Sequence, residues 1–144
     1  MKLRRALGWA VMGLSLIGAG VFGAIRDFRY GGDLVWSPGY EKALAAAQAE
    51  HRRMLISFHY SGCDWCRKMD AETFTDPRVV ALSHAYVCVR IDALRDPELI
   101  RAFHVSEFPT TVIANEHGKE VAHLDGFVEA ARMAAAMRRG DTAN

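Results

Sequence analysis

From Tyr40 onward the chain alternates stretches of helical period with short, nearly continuous apolar runs. Tyr40, Leu44 and Ala47 fall at helical spacing in an Ala-rich stretch after Ser37-Pro38, which predicts a helix over 40–53. Met54 to Tyr60 (Met-Leu-Ile-Ser-Phe-His-Tyr) is a short apolar run that predicts a strand ending at Ser61-Gly62-Cys63. Cys63 to about Thr75 has helical composition, and Asp76-Pro77 restarts a second short helix through Ser83. Tyr86 to Ile91 (Tyr-Val-Cys-Val-Arg-Ile) is β-rich, and Asp96-Pro97 begins a helix reaching Phe103. Thr110 to Ala114 and Glu120 to His123 flank Asn115-Glu116-His117-Gly118-Lys119, a hairpin turn. Phe127 to Arg139 closes the chain as an amphipathic helix with Met133, Ala134 and Met137 on its core face. The alternation predicts a single α/β domain, without internal repeats.

The first 25 residues follow a different pattern. Lys2, Arg4 and Arg5 precede Ala6 to Ile25, twenty residues without a charge. A basic start followed by an apolar run is a secretory signal peptide or an uncleaved membrane anchor. Length favours the anchor, because twenty helical residues cover the ~30 Å hydrocarbon core. Gly18-Ala19-Gly20 and Gly23-Ala24 keep a loose cleavage site open, and a buried core helix is the third alternative. The basic flank precedes the span, so the bulk of the protein is expected outside the cytoplasm, anchored to the inner membrane by residues 6–25. Residues 1–25 are thus a signal anchor or signal peptide. Gly31-Gly32 and Ser37-Pro38-Gly39 mark 26–39 as a tether with a first short strand, and 40–144 is the folded domain.

Composition narrows the function classes. The chain has 144 residues, 51% of them hydrophobic, with 18 Lys+Arg against 17 Asp+Glu, which excludes a disordered protein. Three of the basic residues lie before residue 6, which leaves residues 26–144 with 15 basic against 17 acidic residues. No Lys/Arg stripe remains in the domain, which argues against a nucleic-acid partner. Three cysteines are too few for a disulfide scaffold.

Candidate chemistry sits at Cys63-Asp64-Trp65-Cys66. Two cysteines at i and i+3 on a helix start lie on one face, close enough for a small disulfide ring, and the helix dipole favours a thiolate at the first. The same spacing is half of a zinc site, and two cysteines can also simply be buried. A zinc site needs four ligands, and here Cys88 and scattered histidines are what remains. A second signal is Glu107-Phe108-Pro109-Thr110-Thr111, where a proline directly precedes an apolar strand.

Together, Cys-x-x-Cys opening a helix, Phe-Pro-Thr before a strand, the Asn-Glu-His-Gly-Lys hairpin and Asp125-Gly126 before the final helix resemble the thioredoxin family over about residues 34–139. Trp36, Tyr40-Glu41-Lys42-Ala43-Leu44 with Ala46-Ala47, Cys66-Arg67-Lys68-Met69, Glu72-Thr73-Phe74 and Asp76-Pro77 are similar to its envelope thiol-disulfide oxidoreductase branch. That branch includes the C-terminal domain of the bacterial transmembrane disulfide reductase. The resemblance implies a thioredoxin fold, with a central mixed sheet of four to five strands flanked by helices. It further implies Pro109 in cis facing the pair, Cys63 as attacker and Cys66 as resolver. Trp65, Phe108 and Pro109 would support substrate binding. The implied partners are protein thiols or disulfides and an upstream redox protein, with no cofactor and no metal.

Two departures are visible. The buried Asp that thioredoxin carries six residues before its first cysteine is Ser57 here, and Asp64-Trp65 stand between the cysteines instead of Gly-Pro. His59 on the same strand face is a candidate proton carrier, although a packing role is the simpler one. Cys88, within Tyr-Val-Cys-Val, reads as a small buried hydrophobe. Asp64 disfavours a thiolate beside it, whereas Arg67 and Lys68 favour one. The expected function is a thiol-disulfide oxidoreductase acting on protein disulfides outside the cytoplasm. The alternatives are a soft-metal (copper) handling protein using the same cysteines and a non-catalytic thioredoxin-fold binding module.

Overall fold

The computed structural model describes residues 32–142. Among these, five strands form one mixed sheet and five helices cover it. In chain order they are β1 (Trp36–Ser37), α1 (Tyr40–Glu50), β2 (Arg53–His59), α2 (Asp64–Glu72), α3 (Pro77–Ser83), β3 (Tyr86–Asp92), α4 (Pro97–Ala102), β4 (Thr110–Ala114), β5 (Glu120–Asp125) and α5 (Ala130–Thr142). The strand order is β1-β3-β2-β4-β5. Strands β1, β3 and β2 run parallel, while β4 pairs antiparallel with both β2 and β5. Sequence patterning anticipates this α/β arrangement.

Central position explains the apolar run in β2. A strand paired on both edges and covered on both faces must be apolar at odd and even positions alike. Period-two alternation then sorts the core into two halves. Leu55 joins Met69, Phe74, Tyr86, Cys88, Ile113, Met133 and Met137 on the face covered by α2, α3 and α5. Met54, Ile56 and Phe58 join Val89, Ile91, Phe103 and Val112 on the face of α1. The same alternation places Ser57 and His59 of β2, and Arg90 of β3, on the face over which α2 lies.

Several element ends differ from the sequence expectation, for local reasons. Helix α1 stops at Glu50 instead of 53, because His51 turns left-handed (φ 50°) and donates its N–H to the Ala47 carbonyl. That C-cap frees Arg53 to pair with Tyr86 as the first residue of β2. Helix α5 starts at Ala130 rather than Phe127, since residues 127–129 belong to no regular element and the Glu129 carbonyl accepts the Met133 N–H at 2.9 Å. The Asn115 hairpin forms as expected: its carboxamide oxygen accepts the His117 and Lys119 N–H groups at 3.0 and 2.9 Å. Gly118 (φ 77°) is required there, because a Cβ would lie 2.6 Å from the Tyr40 hydroxyl. The expected signal or anchor over 1–25 lies outside the described residues. Among the described residues no helix is long and apolar enough to cross a membrane.

Candidate active site

Strand β2 delivers the chain to the sheet's end, where Tyr60 to Gly62 turn it into α2. The Cys63 N–H donates to the Tyr60 carbonyl at 3.3 Å, and Gly62 takes a left-handed φ of 92° that glycine adopts without steric cost. Cys63 is therefore the N-cap of α2, extended at φ −77° and ψ 105°, and its Sγ accepts the Cys66 N–H at 3.1 Å. A sulfur thus takes the place usually held by a Ser or Asp oxygen, at the positive end of the helix dipole. Cys63 and Cys66 are disulfide-bonded, with their Cα atoms 5.2 Å apart. Both are buried, with 4% and 5% of their surface exposed.

The nearby charges largely offset one another. Arg67 pairs with Asp64, and Lys68 bonds both carboxylate oxygens of Glu72 at 2.8–2.9 Å. The opposing influences of Asp64 and Arg67 on the pair, expected from sequence, are therefore joined in one exposed ion pair.

Aromatic side chains frame the pair on two sides. Trp65 is 57% exposed and its ring lies 5.8 Å from that of Phe127, with the Lys68 ammonium 4.8 Å from the same Phe127 ring. On the other side Phe108 meets Tyr60 edge-on at 5.4 Å, which ties the loop before β4 to the turn before Cys63. The Phe108–Pro109 bond is cis, and Pro109 is buried. Cys63, Trp65 and Cys66 thus share one helix start, and Phe108 joins them through Tyr60. Sequence patterning passes over Tyr60 and Phe127. The signal for Phe127 is an aromatic residue directly after Asp125-Gly126, where the expected helix does not yet begin.

Beneath α2 lies a polar cluster. Ser57 is buried at the position where thioredoxin has its Asp, and Arg90 is its register partner in β3. The buried carboxylate of this region comes from α2 instead: Asp70, one turn beyond Cys66, bonds Arg90 at 3.1 Å, and Arg90 also lies 5.4 Å from the Trp36 ring. Sequence patterning passes over Asp70 as well; the signal for it is an acid one turn after Cys66 on the same helical face. His59 ends β2 opposite Asp92. Burial, followed by the Arg90 charge, lowers its pKa below the ordinary histidine value against an opposing pull from Asp92. The neutral imidazole is favoured.

Cys88 lies apart, at the centre of β3, paired in register with Trp36 and Leu55. Burial pushes its thiol up to about 12, against a smaller opposing effect of Arg52. Among the described residues no group of three or more His, Cys, Asp or Glu side chains is placed to hold a metal ion.

Comparison with known proteins agrees with this geometry. A thioredoxin from Thermus thermophilus is 31% identical and superposes with a TM-score of 0.65, over 74% of this chain and 85% of its own. The thiol:disulfide interchange protein DsbD of Salmonella choleraesuis is 26% identical over 94% of this chain and 27% of its own length. The oxidised C-terminal domain of Neisseria meningitidis DsbD shares the fold with a TM-score of 0.60, at 22% identity over 69% of this chain and 91% of that one. The chain spans less than a third of the length of the curated relatives it matches. The model of the thioredoxin-like domain family matches residues 40–140, and the chain belongs to that family.

Proposed function

We propose that this protein is a thiol-disulfide oxidoreductase whose Cys63–Cys66 pair exchanges electrons with protein thiols and disulfides outside the cytoplasm. The observation that carries this is the N-cap position of the Cys63 sulfur, which accepts the N–H of Cys66, its own disulfide partner. After reduction, the helix N-terminus and that N–H stabilise a Cys63 thiolate over the thiol. Cys66, the third residue of the helix, lacks that placement and remains the proton-bearing thiol.

The chemistry then follows in two balanced steps. The Cys63 thiolate attacks one sulfur of a partner disulfide; a Cys63–partner S–S bond forms, the partner's own S–S bond breaks, and the departing thiolate takes a proton. Cys66 loses its proton and attacks Cys63 Sγ, closing the Cys63–Cys66 disulfide and releasing the second partner thiol. Two electrons have passed to the partner. An upstream dithiol protein returns them by the same steps in reverse, and no cofactor is required. Trp65 and Phe108, with buried Pro109 behind, form the surface a partner meets. Residues 6–25 hold the domain, residues 40–144, at the outer face of the inner membrane.

Trapping tests this. In a bacterium expressing the full chain with Cys66→Ala, mixed disulfides accumulate on Cys63 and disappear on adding reductant. Absence of such adducts, or adducts that persist when Cys63→Ser is added, would overturn the assignment.

A further inference from the structure

Phe127 packs against Trp65 and Lys68 of α2, and the residue after it is tied to the far end of the same helix. Thr73 is the C-cap of α2, fully buried, and its hydroxyl donates to the Val128 carbonyl at 2.6 Å across 55 residues of sequence. Val128 is itself fully buried. Residues 127 and 128 belong to neither β5 nor α5, so strand or helix bonding does not by itself determine their path. On one side of Phe127, Gly126 turns left-handed at φ 71°; on the other, the Val128 carbonyl is tied to Thr73. The Phe127 ring is left against Trp65 and Lys68 on the outer side of the same helix.

We propose that Thr73 is a positioning residue that holds Phe127 in place as a partner-selecting contact beside the Cys63–Cys66 pair. The inference rests on the oxidoreductase reading of that pair. The physical case is one of register. A buried hydroxyl aimed at a loop carbonyl fixes the loop to the helix along one direction, and removing it leaves a buried carbonyl without its donor. The loop then relaxes, and the apolar face that Trp65 and Phe127 present together no longer has one geometry. A partner segment is bound less well, while the cysteines, held by the other end of α2, keep their chemistry.

The test is insulin reduction by the full chain with dithiothreitol as electron source. Thr73→Val, nearly the same shape without the hydroxyl, is expected to raise the KM for insulin about fivefold while kcat stays within about twofold, the scale of one lost hydrogen bond. Thr73→Ser restores the wild-type KM. Phe127→Ala raises KM at least as much, and the double variant Thr73→Val/Phe127→Ala is no worse than Phe127→Ala alone. A wild-type KM in Thr73→Val, an equal rise in Thr73→Ser, or multiplying effects in the double variant would overturn the proposal. Phe127 is half-buried and lies outside the regular elements, so Phe127→Ala tests the selecting contact even if Thr73→Val folds poorly; an unchanged KM there overturns it as well. Failure of the wild-type chain to reduce insulin at all would instead remove the oxidoreductase reading.

Discussion

Cys63 and Cys88 are buried to the same extent, at 4% and 3% exposure, yet their surroundings assign them opposite chemistry. Cys63 stands at the start of a helix, with a backbone N–H aimed at its sulfur and the exposed Trp65 on the same helix start. Cys88 stands in the middle of a parallel strand whose N–H and C=O groups are engaged in pairing, among Leu55, Tyr86 and Ile113. Its sulfur is 4.0 Å from the Ser83 carbonyl, an acceptor that offers a thiolate nothing. Burial alone penalises a thiolate; a helix N-terminus stabilises one. The difference between the two sites is therefore made by backbone direction more than by solvent access.

The largest expected effect separates the two residues outright. Cys63→Ser should reduce insulin turnover to the uncatalysed rate, because the hydroxyl is not ionised and cannot form the mixed disulfide. Cys88→Ser should leave turnover within about twofold, since that thiol takes no part in the exchange. Loss of turnover in a folded Cys88→Ser protein would break the comparison.

A smaller effect lies in the alkaline range. Cys88 has a folded-state pKa raised from 9.0 to about 12, so the unfolded chain loses that proton first as pH rises. The stability that this thiol contributes is complete below about pH 9 and is lost as pH rises from there through about 12. Urea midpoints of the reduced wild-type chain and of Cys88→Ala should accordingly converge or cross between pH 8 and pH 11. A constant difference across that interval would show that burial does not hold the Cys88 thiol neutral.

The smallest effect concerns the charges beside Cys63. Asp64 and Arg67 form an exposed pair, so Asp64→Asn leaves an uncompensated guanidinium near the sulfur. The Cys63 thiolate should gain slightly, by roughly twofold to threefold in alkylation rate at pH 7, and the gain should fade in high salt. Slower alkylation would mean that Asp64 acts on Cys63 in some way other than through its charge.

How much of this was legible beforehand follows from the range of the interactions involved. The strand ending at the Ser61-Gly62-Cys63 turn, the helix start at Cys63, the Asn115 hairpin and the two Asp-Pro helix starts are written within a few residues, and the sequence pattern locates them. The end of α1 was misplaced because a left-handed histidine does not announce itself as a glycine does. The start of α5 was placed early because the apolar character of Phe127 and Val128 is the same whether they enter a helix or bind to α2. Contacts between distant segments were the least visible. Thr73 with Val128, Asp70 with Arg90 and Tyr60 with Phe108 are joined across 20 or more residues of chain, and neither period nor motif marks one partner for the other. The local half of the site was thus accessible to pattern, whereas its aromatic frame and polar floor depend on the fold.

The most direct measurement is timed alkylation of the fully reduced chain with iodoacetamide at pH 7, each cysteine followed by peptide mass spectrometry. Cys63 is expected to be modified first, Cys66 more slowly and Cys88 last. Modification of Cys66 or Cys88 ahead of Cys63 would contradict the assignment of Cys63 as the attacking sulfur.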